Sequence, residues 1–208
     1  MPNGSPFQPT APCVNLVANV MSESRQLSGP RAHSFLGMNS YTTTQSPVGE
    51  LLLAGEETRD GVTLTSLSMT GQRNAPRPDA NSRYAPEAFA EVTRQLEAYF
   101  AGELTTFDLD LAPGGTPFQQ RIWGALDSVR YGTTITYGEL AAQLGVPRDR
   151  IVALGAAIGA NPLLIVRPCH RVIGADGTMR GYAGGVERKQ WLLVHEGALQ
   201  PMLTADPS

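Results

Sequence analysis

The 208-residue chain is short of cysteine, histidine and lysine: it has two Cys, three His, and Lys189 as its single lysine. Two cysteines, Cys13 and Cys169, leave no disulfide framework, and a reducing cytoplasm is the expected compartment. So few Cys and His, with Cys13 and His33 both near the N-terminus, make no zinc pattern; no metal and no cofactor is expected. Long apolar runs are missing too. None approaches the roughly 20 residues of a membrane span, so no membrane partner is expected. The start shows no basic-then-apolar leader. Charge of either sign is scarce, with a net of −3, which excludes a protein that coats nucleic acid indiscriminately.

Its distribution is more telling. Residues 1–115 hold 7 basic and 12 acidic residues; residues 116–200 hold 9 and 6, a net of +3. The second half therefore admits a polyanion partner, although ordinary charge scatter would look the same. Residues 1–38 are rich in Pro, Ser, Asn and Gly without sustained periodicity and are expected to be a disordered extension. From Tyr41, "SYTTTQSPVGELLLAGEE" reads as strand, turn, strand, and "GVTLTSLSM" as a third strand. A Pro- and Asn-rich loop follows. Then Phe89, Val92, Leu96 and Tyr99 form the apolar stripe of a helix opened by Pro86 and closed by Gly102. "TFDLDLAP" alternates as a strand would, and Gly114-Gly115 reads as a linker. These signals divide the chain into a 39–113 α/β domain, a 114–200 domain and a 201–208 tail.

The second domain is mostly helical. Thr116 and Pro117 open a helix with Phe118, Ile122, Leu126 and Val129 on one face. Two helices then follow across a short turn, over "YGELAAQLG" and "VPRDRIVALGAAIGANP", the pattern of a helix-turn-helix. The second of these is unusual. With Ile151, Leu154 and Ile158 turned inward, its other face carries Val152, Ala153, Ala156, Gly159 and Ala160, with no charge. Gly155 and Gly159 each cost about 1 kcal/mol against Ala inside a helix. Such a face either packs on both sides within the fold or lets something large approach the backbone. Lacking Arg, Asn or Gln, it would read nucleic-acid shape and backbone rather than base edges.

The chemistry lies in "RPCHRVIG", residues 167–174. Cys169 has Arg167, His170 and Arg171 within two positions. Cations beside a thiol favour the thiolate, so a nucleophile with a lowered pKa is expected. "PCHRV" at 168–172, "NP" at 161–162, "YGELA" at 137–141 and "GYAGGVERKQWLLVHEG" at 181–197 together resemble the O6-alkylguanine-DNA alkyltransferases in order and spacing. "QSPVGELLLAG" and "LEAYFAGEL" resemble the N-terminal domain of that family's bacterial members.

The resemblance implies an α+β fold: a small ribonuclease-H-like sheet-and-helix domain, then a winged-helix-like domain carrying the helix-turn-helix. It implies a monomer that binds double-stranded DNA through the minor groove, flips out an O6-alkylguanine and takes the alkyl group irreversibly onto Cys169. Flipping is needed because the O6 substituent is out of reach in the stack. It implies that His170 acts through a bridging water, that Glu196 fixes the histidine tautomer, and that Tyr137 gives a proton to the departing guanine. Asn161 would fold the turn before the active-site strand. Val172, Tyr182, Ala183 and Gly184 would line the base pocket.

In one place the chain departs from the family, which has Arg-Ala-Val-Gly where this chain has Val152-Ala153-Leu154-Gly155. The arginine fills the space left by the flipped base; here Val152 stands in its place. Arg150 lies two residues earlier, about 200° round the helix. The expected consequence is slower flipping, weaker binding or a preference for lesions already unpaired. Two other readings stay open on the sequence: a lesion-binding protein with impaired transfer, and a cysteine hydrolase built on Cys169, His170 and Glu196, which would turn over.

Overall fold

The computed structural model describes residues 39–72 and 75–200. The expected extension over 1–38, with Cys13 and His33, and the tail over 201–208 lie outside the described residues. β1 (Asn39–Thr44) and β2 (Leu51–Thr58) form a hairpin closed where Gly49, at φ 100°, donates its N–H to Ser46 O. β3 (Gly61–Met69) pairs antiparallel with β2, and the register shifts at Ala54/Gly55. Gly55 is required there, because a Cβ would sit 2.5 Å from the carbonyl oxygen of Thr63. β4 (Arg83–Tyr84) pairs parallel with β1, giving the order β3-β2-β1-β4. It lies in the stretch read as loop; two residues leave no periodicity to detect.

The helix expected from Pro86 opens as a 3-10 turn over Pro86–Phe89 and becomes α1 at Ala90–Phe100. Phe89, Val92, Leu96 and Tyr99 are buried, as their spacing requires. "TFDLDLAP" is not a strand. Leu111 makes a single bridge to Leu64, and the preceding backbone is taken by a side chain. The buried Gln95 amide donates to Asp108 O and accepts from Asp108 N, both at 2.8 Å. That amide occupies both polar groups of Asp108, so no ladder extends past it.

Gly115 is fixed by packing, since a Cβ would lie 2.5 Å from the Trp123 ring. α2 (Pro117–Leu126) begins with a capping box between Thr116 and Gln119. A second capping box, Thr136 with Glu139, starts α3 (Tyr137–Gln143) directly after β5 (Ile135–Thr136). α4 (Ile151–Gly159) follows a 3-10 turn over Arg148–Arg150. β6 (Val172–Ile173) pairs parallel with β5, and α5 (Val186–His195) ends the fold. Trp123 Nε1 donates to Ala157 O at 2.8 Å, tying α2 to α4.

One hydrophobic core runs through the described residues, from Leu51, Leu53 and Leu64 to Ile122, Leu154 and Leu192. β3 is the seam. Its free edge accepts Leu111 at one point and Leu163 at another: Leu67 N donates to Pro162 O, and Leu164 N to Leu67 O. The loop that precedes Cys169 is thus clamped to the N-terminal sheet. Among the described residues no helix is long and apolar enough to cross a membrane.

Candidate active site

Cys169, His170 and Arg171 occupy one 3-10 turn rather than an extended strand. Consecutive side chains therefore fan out instead of alternating between two faces. The approach is tight: Ile165 adopts φ 69°, a left-handed conformation that is rare for a β-branched residue. Such strain, on the order of 1–3 kcal/mol, persists only where the surroundings over-determine it. Here the Leu67 clamp lies on one side and Asn161 on the other. Asn161 Nδ2 donates to Leu163 O at 3.2 Å, Arg167 O at 2.9 Å and Cys169 Sγ at 3.2 Å, while its Oδ1 accepts from Leu163 N at 3.1 Å.

The sulfur sits at the floor of a cleft of about 980 Å³, lined from α3 by Tyr137, from α4 by Gly155, Ile158 and Gly159, and from the 181–185 loop by Tyr182, Ala183 and Gly184. The wall from α4 is therefore the edge that carries Gly155, Ile158 and Gly159; Val152, Ala153 and Ala156 do not line the cleft. Gly184 is sterically required, since a Cβ would lie 2.6 Å from Met69 Sδ and 2.8 Å from the Tyr182 ring. Tyr137 donates to Arg180 O at 3.0 Å; burial and the nearby sulfur push its phenol up, so it keeps its proton.

Behind the sulfur, His170 and Glu196 are fully buried side chains joined at 2.8 Å, Nε2 to Oε1. Burial pushes the imidazole pKa down, so His170 is neutral and donates its Nε2–H to the carboxylate. Its Nδ1 is buried with no protein partner. Glu196 also accepts from Arg171 Nε at 2.8 Å, Arg171 Nη2 at 3.0 Å and Tyr99 OH at 2.7 Å. Burial raises the carboxyl, but the bonds from His170 and Arg171 outweigh it and hold the pKa at about 2. Arg171 also donates to Val129 O and lies 5.7 Å over the Tyr131 ring.

The expectation that cations lower the thiol pKa is corrected. Burial pushes Cys169 up to about 11, against the pull of the Asn161 bond and of Lys189. The nearby arginines face elsewhere, Arg171 toward Glu196 and Arg167 toward Asp127 at 3.4 Å. Among the described residues, Lys189 is a neighbouring cation with no carboxylate paired to it. It is fully buried, donates to Val172 O at 2.5 Å, and burial brings its pKa down to about 8.

Sequence reasoning missed Lys189 and Tyr99. Their signals were a lysine with no other in the chain, and a tyrosine in an otherwise plain core stripe. His195 stands apart from the cleft: its Nε2–H donates to Tyr99 O at 2.8 Å, and its ring stacks on Trp191. On α4, Val152 is 84% exposed; Ala156 and Gly159 are exposed and Ala153 half-buried. Arg150 is drawn away from that face, with its guanidinium 5.3 Å from the Phe118 ring centroid. Among the described residues no group of three or more His, Cys, Asp or Glu is placed to hold a metal.

The chain is similar to known proteins over both of its parts. Residues 39–113 match the ribonuclease-like domain of 6-O-methylguanine DNA methyltransferase, and 117–198 its DNA-binding domain. A methylated-DNA–protein-cysteine methyltransferase of Mycolicibacterium paratuberculosis is 49% identical over 79% of this chain and 96% of its own. The Methanosarcina acetivorans protein of that name is 47% identical over 76% and 98%. The crystal structure of Mycobacterium tuberculosis OGT in complex with DNA superposes with a TM-score of 0.69 at 46% identity, covering 76% of this chain and 93% of that one. With both domains matched in order and relatives near half identity along almost their whole length, this chain belongs to the 6-O-methylguanine DNA methyltransferase family.

Proposed function

We propose that the protein repairs DNA by transferring the alkyl group of an O6-alkylguanine to its own Cys169, once per molecule. The observation that carries the reading is the placement of Sγ: at the floor of an open cleft, with Asn161 Nδ2 on it and the Glu196–His170 pair behind. The relatives' shared name and the DNA-bound OGT structure support the same reaction and a DNA partner. The thiol proton passes through a water to His170 Nδ1. Sγ attacks the alkyl carbon, the bond from that carbon to O6 breaks, and Tyr137 gives a proton to the base as it becomes guanine. A thioether remains on Cys169, and nothing in the arrangement reverses it. Burial raises the Cys169 pKa and keeps the thiol protonated, so its proton has to leave as the sulfur attacks.

Duplex DNA would dock along Val152, Ala153, Ala156 and Gly159, with Arg150 at the start of α4. The flipped base would lie between Tyr137 and the 181–185 loop, read in part by Val172 backbone groups. The domain division near residue 113, a monomeric state and a cytoplasmic location belong to this proposal. The test is intact-protein and peptide mass spectrometry after incubation with excess duplex bearing one O6-methylguanine. One methyl on the Cys169 peptide, saturating at one per protein, is expected. Binding to that DNA without transfer would replace the reading with lesion recognition, and repeated turnover on esters with a hydrolase.

A further inference from the structure

Glu196 is held from two sides. Arg171 and His170 reach it from the Cys169 turn, and Tyr99 reaches it from α1, 97 residues away in the N-terminal lobe. The bonds are not equivalent. Oε2 accepts Arg171 Nε, whereas Oε1 accepts Arg171 Nη2, the Tyr99 hydroxyl at 2.7 Å and His170 Nε2 at 2.8 Å. Tyr99 and His170 therefore compete for one oxygen.

A donor on a carboxylate oxygen disperses its charge and weakens its hold on any other donor there. We infer that Tyr99 is a positioning residue that tempers the base: by donating to Glu196 Oε1 it limits how strongly the carboxylate stabilises a protonated His170, and so keeps His170 Nδ1 free to accept the thiol proton. Tyr99 acts only through Glu196. The groups facing His170 are Glu196 and Lys189 from α5 and its C-terminus, Cys169 and Arg171 from its own turn, and Tyr182, whose ring stands edge-on at 6.4 Å. Lys189 and Arg171 oppose the imidazolium, and Glu196 alone favours it. A change in Glu196 is thus felt directly at His170. Tyr99 is fully buried, and burial beside Glu196 raises its phenol far above its usual range, so it remains a donor throughout the working pH range.

The inference rests on Cys169 and His170 being nucleophile and base. Its test is the pH profile of Cys169 alkylation by iodoacetamide, located by peptide mass spectrometry, alongside the His170 ring titration followed by NMR. Tyr99→Phe removes one hydroxyl. Expected is an acid limb, and a His170 midpoint, about one pH unit higher than in the parent, since a charge-assisted bond of this kind is lost. If that variant fails to fold, 3-fluorotyrosine at position 99 keeps the shape and strengthens the donor; both midpoints then move down. A general loss of packing lowers Tm without moving either midpoint. Unmoved midpoints in a folded variant overturn the inference, even if the parent takes a methyl from lesion DNA. Failure of the parent to take that methyl overturns the functional reading instead.

Discussion

Asn161 governs the sulfur's surroundings more directly than any other side chain, because one amide serves a turn and a nucleophile together. Its Nδ2 bonds two carbonyls and Sγ, and its Oδ1 holds Leu163 N. Asn161→Asp keeps the size and the acceptor but loses the donor, and sets an acidic group beside a thiol that burial already raises. Iodoacetamide alkylation of Cys169 at pH 8 is expected to fall at least tenfold, with a stability loss of about 2 kcal/mol from buried carbonyls left unpaired. A rate equal to the parent's would show that the bond to sulfur is incidental.

Glu196 sets a pH dependence. Its folded pKa of about 2 lies below the ordinary 4.5, so its contribution is complete above pH 4.5 and is lost as pH falls toward 2. Glu196→Gln should be the less stable protein at pH 7, with a gap that narrows through that window; denaturant melts at pH 7, 4 and 3 would show it.

At the level of elements, α4 and α1 show what a sequence discloses. The bare face of α4 was legible as a pattern, but only its Gly159 lines the cleft, beside Gly155 and Ile158, because which edge does so depends on the 181–185 loop. Thr116 and Pro117 located the start of α2 because caps are local chemistry, while the Thr136–Glu139 box that starts α3 went unread. The "TFDLDLAP" strand misled for the opposite reason: alternation reports which residues face inward, and pairing depends on Gln95, 13 positions away from Asp108. The cluster of arginines near Cys169 misled similarly, since their directions are set by Glu196 and Asp127.

Val152 is the element's clearest departure from the family pattern. Were α4 to dock on duplex DNA as proposed, an exposed valine there, with Arg150 over the Phe118 ring, would offer an apolar wedge and no cation to hold the duplex open. Val152→Arg should speed methyl transfer from paired duplex several-fold and leave transfer from a lesion opposite an abasic gap nearly unchanged. Equal acceleration on both substrates would point to phosphate contacts rather than to flipping.

The described residues share one core between the N-terminal sheet and the helices that follow it, with the nucleophile's loop acting as an extra partner for that sheet. Leu67 embodies this. Its side chain is fully buried, and its backbone gives one bond to Pro162 and takes one from Leu164. The strained Ile165 lies one residue beyond that clamp, so the sheet helps to hold the conformation that aims Cys169. Leu67→Ala leaves the backbone bonds possible but opens a cavity at the seam, at a cost of about 2–5 kcal/mol. If the lobes were independent, such a loss would split melting into an early and a late transition. With the core shared, calorimetry should show one transition moved to lower temperature, with calorimetric and van't Hoff enthalpies still equal. Transfer to Cys169 should slow as well, although Leu67 belongs to the lobe that bears no nucleophile. A biphasic melt with an unaltered transfer rate would mean that the N-terminal sheet merely accompanies the reactive lobe and does not brace it.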